Sequence, residues 1–263
     1  MRSSSSAIST PSWRTALPRS CARSSRWPSR RIPPSMPAPR SSRLTRFLLV
    51  AALACSTGAI ADQPFSTAET LLFLSDHLGK LPSQTVLHYG YEKAGTLESA
   101  RHDDIRMEVS AATQGTGRQV HVEYLSGSTK LALPDLAAAT GNPVILYFLE
   151  RDLQEMQRLT GGQAAYFRKR VRMALAGAAD VVPVTFEYGG QRLSGQQITV
   201  QPYRRDPLRS RYERMADKSY VFTLCEQVPG SVYRLQSLVP APADRDDARP
   251  LIEETITFLG VDP

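Results

Sequence analysis

Ile105-Arg106-Met107-Glu108-Val109-Ser110-Ala111, the turn Gly115-Thr116-Gly117, and Arg118-Gln119-Val120-His121-Val122-Glu123-Tyr124-Leu125 form the stretch that decides the fold. In the first run Ile105, Met107 and Val109 alternate with Arg106, Glu108 and Ser110. In the second, Val120, Val122 and Tyr124 alternate with Gln119, His121 and Glu123. Successive side chains of a strand point to opposite faces, so a period of two means one face buried and the other in water. That pattern belongs to antiparallel sheets, because parallel strands are covered on both faces and read as continuous apolar runs.

Working outward, Gln84 to Glu92 has Leu87, Tyr89 and Tyr91 on one face and Val86, His88 and Gly90 on the other. Downstream, Ser126-Gly127-Ser128 turns into Thr129-Lys130-Leu131-Ala132-Leu133, read as another short strand. Val181 to Tyr188, Arg192 to Tyr203, Ser219 to Glu226 and Ser231 to Val239 are also strand-like. Gly189-Gly190 suits a tight hairpin, and Val228-Pro229-Gly230-Ser231 has Pro and Gly in the order of a type II turn. Asp244 to Arg249 is a charged loop, and Leu251 to Leu259 closes the chain as a helix or a strand.

Three segments read as helices. Ser66-Thr67-Ala68-Glu69 is a capping box, and the leucines that follow carry the helix to Leu81, with Gly79 and Pro82 closing it. In Gly141-Asn142-Pro143-Val144-Ile145, Asn142 is a fitting cap and Pro143 a fitting first helical residue. Ile145, Leu149, Leu153, Met156 and Leu159 then recur every three or four residues until Gly161-Gly162. A second helix from about Gln163 to Ala176 carries Phe167, Val171, Ala174 and Leu175 on one stripe, completing a helical hairpin. Strands with segregated helices define an α+β class: a curved antiparallel sheet or open barrel with an N-terminal helix and an inserted helical hairpin.

The start of the chain reads differently. Residues 1–35 are rich in Ser, Arg and Pro and carry too little apolar surface to order, so they are expected to be a disordered or mis-assigned extension. From Met36, the segment to Ala61 has the parts of a secretory signal peptide. Arg40, Arg43 and Arg46 precede the apolar run that starts at Phe47, and Ala59-Ile60-Ala61 supplies the small-residue cleavage site. The apolar stretch Phe47 to Ala61 is 15 residues, short of the roughly 20 that a membrane span needs. Whether synthesis begins at Met1 or Met36 stays open, as does lipid modification of Cys55. Residues 62–263 are expected to form one periplasmic domain without an integral membrane span.

Removal of the leader changes the charge. The chain has 32 Lys and Arg and 25 Asp and Glu; residues 1–61 hold ten Arg and no acid, leaving 32 − 10 = 22 basic against 25 acidic residues. A net charge of −3 removes the argument for nucleic-acid binding. Cys225 is then the single cysteine, so no intramolecular disulfide forms, and its place in an alternating run suits a small buried side chain.

No familiar catalytic or nucleotide-binding signature occurs, which points away from an enzyme, and no cofactor is expected. His121 and Glu123 share a strand face, and His102 precedes Asp103 and Asp104; these are the candidates for a hydrolase or metal site. Arg168, Lys169, Arg170 and Arg172 lie on the second hairpin helix, and Arg204, Arg205, Arg209, Arg211, Arg214 and Lys218 follow later. Brought together, they would form a basic patch for lipid phosphates, an anionic polymer or an acidic partner. The hairpin reads either as a fixed cover or as a lid hinged at Gly161 and Gly162, with Phe148, Met156 and Phe167 facing a ligand. The candidate ligand residues are thus Phe148, Met156, Phe167, Arg168, Arg170, Arg172, Arg204 and Arg205.

In element order, residues 62–263 resemble the LolA/LolB-like lipoprotein carriers of the bacterial envelope and uncharacterised periplasmic families with a related curved sheet. The resemblance rests on no motif and assigns no residue a role. It implies an open barrel whose apolar interior holds acyl chains under a helical lid. Two functions follow from the sequence: a periplasmic protein binding a lipid or other apolar ligand, or an envelope assembly factor binding another protein through the hairpin and basic patch. The hydrolase or metal enzyme is the third, and the oligomeric state is left open.

Overall fold

The computed structural model describes residues 65–112, 115–242 and 249–262. The expected leader with Cys55, and most of the charged loop from Asp244, lie outside the described residues. Among the described residues nine strands form one antiparallel sheet: β1 (Thr85–Ala94), β2 (Arg101–Ala111), β3 (Arg118–Tyr124), β4 (Leu136–Ala139), β5 (Asp180–Tyr188), β6 (Gln191–Val200), β7 (Ser219–Leu224), β8 (Val232–Val239) and β9 (Ile252–Asp262). Their order across the sheet is β4-β3-β2-β1-β9-β8-β7-β6-β5. The sheet is therefore open, with β4 and β5 at its edges. The helical hairpin, α2 (Val144–Thr160) and α3 (Ala164–Gly177), connects these two edge strands in sequence.

The alternation read from the sequence sets the register. Met107 lies opposite Leu87 on one side and Val122 on the other, all buried, while Glu108 faces His121 on the solvated side. Leu251 to Leu259, readable as helix or strand, is strand from Ile252 onward, in β9, which lies between β1 and β8 with Tyr89 opposite Phe258 and Leu235 opposite Ile256. The sheet is strongly curved. The β5–β6 hairpin folds back so that Phe186 stacks on Tyr233 at 4.0 Å, and Tyr188 reaches Phe258, which stands four strands away in sheet order, at 5.4 Å. Gly189 and Gly190 both have positive φ at the tip of that hairpin.

Two expectations are corrected. The expected strand at Thr129–Leu133 is instead a 3-10 turn over Gly127–Thr129 followed by a single bridge from Leu131 to Tyr124, and the edge strand begins later, at Leu136. The N-terminal helix is shorter than its leucines suggest. The capping box forms: Ser66 Oγ accepts the Glu69 amide at 3.0 Å, and the Glu69 carboxylate accepts the Ser66 amide at 2.9 Å. However, α1 (Thr67–Glu69) runs only into a π turn over Thr70–Leu74. Asp76 Oδ1 then accepts the amides of Leu78 and Gly79, at 3.2 and 2.7 Å, and this local side-chain bonding competes with the helix. The amides of His77 and Leu78 pair with the Thr140 carbonyl, tying the segment to the entrance of α2.

Asn142 joins these parts. Its Oδ1 accepts the Val144 amide at 3.1 Å, and its Nδ2 donates to Tyr89 Oη at 2.8 Å and to the Gly230 carbonyl at 2.9 Å. Its own amide donates to His77 Nδ1 at 3.1 Å. The opposite nitrogen of that ring, Nε2, lies 2.8 Å from the Leu71 carbonyl, so Nε2 carries the proton in a neutral imidazole. One buried side-chain pair thus fastens the N-terminal arm, β1, the β7–β8 turn and α2. Replacing Asn142 with Ala leaves several buried groups unpaired, and we expect a loss of about 3 kcal/mol in a urea titration.

Burial lowers the His77 pKa below its ordinary 6.5, although the Leu71 carbonyl and Asp76 pull in the other direction. Between the folded and unfolded pKa values the unfolded chain binds the extra proton. The contribution of His77 to stability is therefore fully present above pH 6.5 and is lost as pH falls through the lowered value. Melting temperature measured from pH 7.5 downward should fall across this window in the native chain, and less steeply in His77→Gln.

Candidate functional site

Helix α2 lies on the concave face of the sheet, and its inner residues explain how it is held. Val144, Ile145, Phe148, Leu149, Leu153 and Met156 are buried, and so is Asp152. Asp152 pairs with Lys218, accepts Tyr220 Oη at 2.6 Å and Ser237 Oγ at 3.2 Å, and is almost without solvent contact, as is Lys218. Beside it Arg151 pairs with Glu254 and lies over the Tyr91 ring at 4.9 Å. One turn on, Glu155 takes Lys93 at 3.0 Å and Arg158 at 2.6 Å. Burial alone would raise the Glu155 pKa, but the hydrogen bonds and charges of Arg158 and Lys93 hold it down to about 2. Burial, with the charge of Asp152 beside it, pushes the Tyr220 hydroxyl well above its ordinary value, so it remains a donor.

The candidate apolar residues fall into this core. Phe148 sets its edge against Tyr220 and Phe222, Met156 is fully buried, and Phe167 packs among Tyr166, Tyr203 and Tyr212. Gly162 is required by that packing, since a Cβ there would meet the Phe167 ring at 2.7 Å, while Gly161 supplies the positive φ that ends α2. Swinging α2 away as a lid would leave Lys218 and Glu254 buried without their partners.

The candidate arginines divide between two depressions on the outer, helical side. Arg168 and Arg172 border a groove of about 460 Å³ along the α2–α3 seam. It is lined by Phe73, Leu146, Leu149, Leu153, Val171 and Leu175, with Tyr147 and Glu150 at its margin. Arg168 grips Glu150 across the seam through Nη2, at 2.6 and 2.7 Å to the two carboxylate oxygens. Arg170, Arg204 and Arg205 meet in a second groove of about 550 Å³, between α3 and residues 199–205. Arg170 Nε lies 2.7 Å from Asp206 Oδ2, close enough to pair by charge although its N–H is not aimed at that oxygen. Arg204 donates to Gln201 at 3.2 Å. Lys218 belongs to neither depression; it is buried beneath α2, which corrects its place in the basic patch. Arg209 lies 3.7 Å from Asp217.

Of the candidate hydrolase and metal residues, His102, Asp104, His121 and Glu123 lie on the solvated face of the sheet, while the side chain of Asp103, opposite the buried Tyr91, is almost without solvent contact and pairs with Arg101; they do not converge. His121 pairs with Asp135 at 2.6 Å, Glu123 with Lys130 at 3.3 Å, and His102 with Glu92 at 3.7 Å. Among the described residues no three His, Cys, Asp or Glu side chains come together as metal ligands. Cys225 is buried, its Sγ 3.2 Å from the Ser194 carbonyl. A third depression, a cleft of about 620 Å³ between Leu71–Lys80 and the β5–β6 hairpin, is bridged by the exposed pair Lys80 and Glu226 at 2.7 Å. Among the described residues no helix is long and apolar enough to cross a membrane.

Sequence reading missed Leu146 as a groove residue. It follows Ile145 directly and so stands off the inward stripe, and an apolar residue on the outward side of an amphipathic helix was the available signal. The fold defines an α+β protein with an open, curved antiparallel sheet and a helical hairpin laid on its concave face. No family model matches the sequence, and the comparison with proteins of established function finds no relative. Among solved structures the chain is similar to a LolA superfamily protein of Nitrosomonas europaea, the superfamily its element order resembles. That match covers 75% of this chain and 93% of the other at 8% identity. The TM-score of that match is 0.21.

Removing the Asp152 carboxylate would strand a buried ammonium. Asp152→Ala should cost about 3–5 kcal/mol by denaturant unfolding, whereas Asp152→Leu combined with Lys218→Met should recover most of that loss.

Proposed function

We propose that this chain is an exported, non-enzymatic binding protein of the bacterial envelope, released by cleavage after Ala61, that holds the acyl chain of a lipid in the groove along the α2–α3 seam. The observation that carries this reading is the lining: six hydrocarbon side chains form the walls, and the charged groups Glu150, Arg168 and Arg172 stand at the rim. A volume of about 460 Å³ falls within the range of small-molecule sites, roughly 300–1,000 Å³. Each methylene withdrawn from water there contributes about 0.8 kcal/mol, and Arg172, which has no carboxylate partner among the described residues, suits a headgroup phosphate. Export rests on the sequence pattern from Arg40 to Ala61. The buried ion pairs under α2 support binding on the outer side of the hairpin in preference to the concave face of the sheet.

A second reading is favoured by the openness of the same groove: an envelope protein could lay an apolar segment into it and meet the rim arginines. Native mass spectrometry of protein isolated from its own envelope separates the two. The acyl-chain reading expects a chain beginning at Asp62, carrying added mass that disappears on denaturation, extracts into organic solvent and is absent from Leu146→Glu. A protein co-purifying in its place supports the second reading, and a chain retaining Met1 overturns export.

A further inference from the structure

Lipid binding in the seam does not account for the charge on the rest of the helical side. The exposed band of α3 carries Lys169, Arg172 and Met173, and across the second groove stand Arg204 and Arg205. Among the described residues none of these four cations lies within ion-pairing distance of a carboxylate, in a domain whose net charge from residue 62 onward is −3. Large apolar side chains stand exposed at both grooves, Met173 at the second and Leu146 at the seam. Met173 is 54% exposed and Leu146 is 56% exposed. Phe65, 66% exposed, is held near the end of α3 because the neighbouring Ser66 Oγ donates to the Leu175 carbonyl at 2.9 Å.

We propose that this helical face docks on a membrane surface rich in anionic phospholipid. Apolar tips set among unpaired basic side chains are the features that hold a protein in the plane of a lipid interface. The hydrocarbon enters the acyl boundary, and the cations meet headgroup phosphates. Charge complementarity identifies the occupant: the local excess of cations on an acidic domain selects a polyanionic surface, and the projecting apolar tips select one with a hydrocarbon layer beneath it. The docking goes beyond the acyl-chain reading and does not require the seam groove to be filled.

The test uses the protein purified from the cell envelope and sedimented with vesicles of phosphatidylcholine alone or mixed with phosphatidylglycerol. Binding is expected to the mixed vesicles and to weaken steeply as salt rises. Arg204→Gln with Arg205→Gln, which leaves the seam untouched, should lower the partition constant about 30-fold. Both tryptophans, Trp13 and Trp27, precede residue 62. In the processed protein Met173→Trp therefore supplies a lone reporter, and its emission should shift to the blue on the mixed vesicles. Equal binding to both vesicle types, no binding, an unshifted Met173→Trp emission, or a double variant that sediments like the parent would each overturn the proposal. Absence of extractable lipid from the parent protein, with vesicle binding retained, would count against the seam alone.

Discussion

The contact between Asp152 on α2 and Lys218 at the entrance to β7 constrains the rest of the molecule. Two opposite charges with almost no solvent between them are costly to separate and costly to leave alone. They fix α2 on the concave face at one rotation, and Tyr220 and Ser237 complete the oxygen shell. With that rotation set, Arg151 falls on Glu254 and Glu155 on Lys93, so three successive ion pairs follow one helix down the sheet. Phe148 packs against Tyr220 and Phe222 beneath the same helix. The groove on the outer side is a by-product of the same rotation, because it leaves Leu146 facing away from the sheet.

The sequence carried most of the fold because its signals were local. The alternation of Ile105 to Tyr124 is a property of neighbouring residues, and so are the capping box at Ser66 and the glycine stop at Gly161. What failed depended on competition between local options. Asp76 diverts the chain before the leucine stripe reaches Leu81, and the leucines of Leu131–Leu133 yield to a strand that starts at Leu136. The site was less legible. Arg170, Arg204 and Arg205 do meet, as a basic cluster from two segments, while Phe148, Met156 and Phe167 serve the core. Lys218 looks like one more surface cation in a run of arginines. Its partner lies 66 positions earlier on another element, and no spacing rule reports such a pair.

The outer surfaces divide by chemistry. The solvated face of the sheet carries alternating charges that neutralise one another in exposed pairs, each worth little to stability. The helical side instead keeps several cations unpaired beside hydrocarbon.

The strand order has a consequence for how the chain reaches its final state. Strands β1 to β4 form one meander and β5 to β8 a second, and β9, the last strand in sequence, lies between them and bonds to β1 and β8. Neither half of the sheet can complete its hydrogen bonding until the C-terminal strand arrives, however long the earlier strands have existed. Such non-local closure is slow and leaves two unmatched edges exposed in the meantime. A chaperone that guards β1 and β8 would guard the same two edges that β9 later covers.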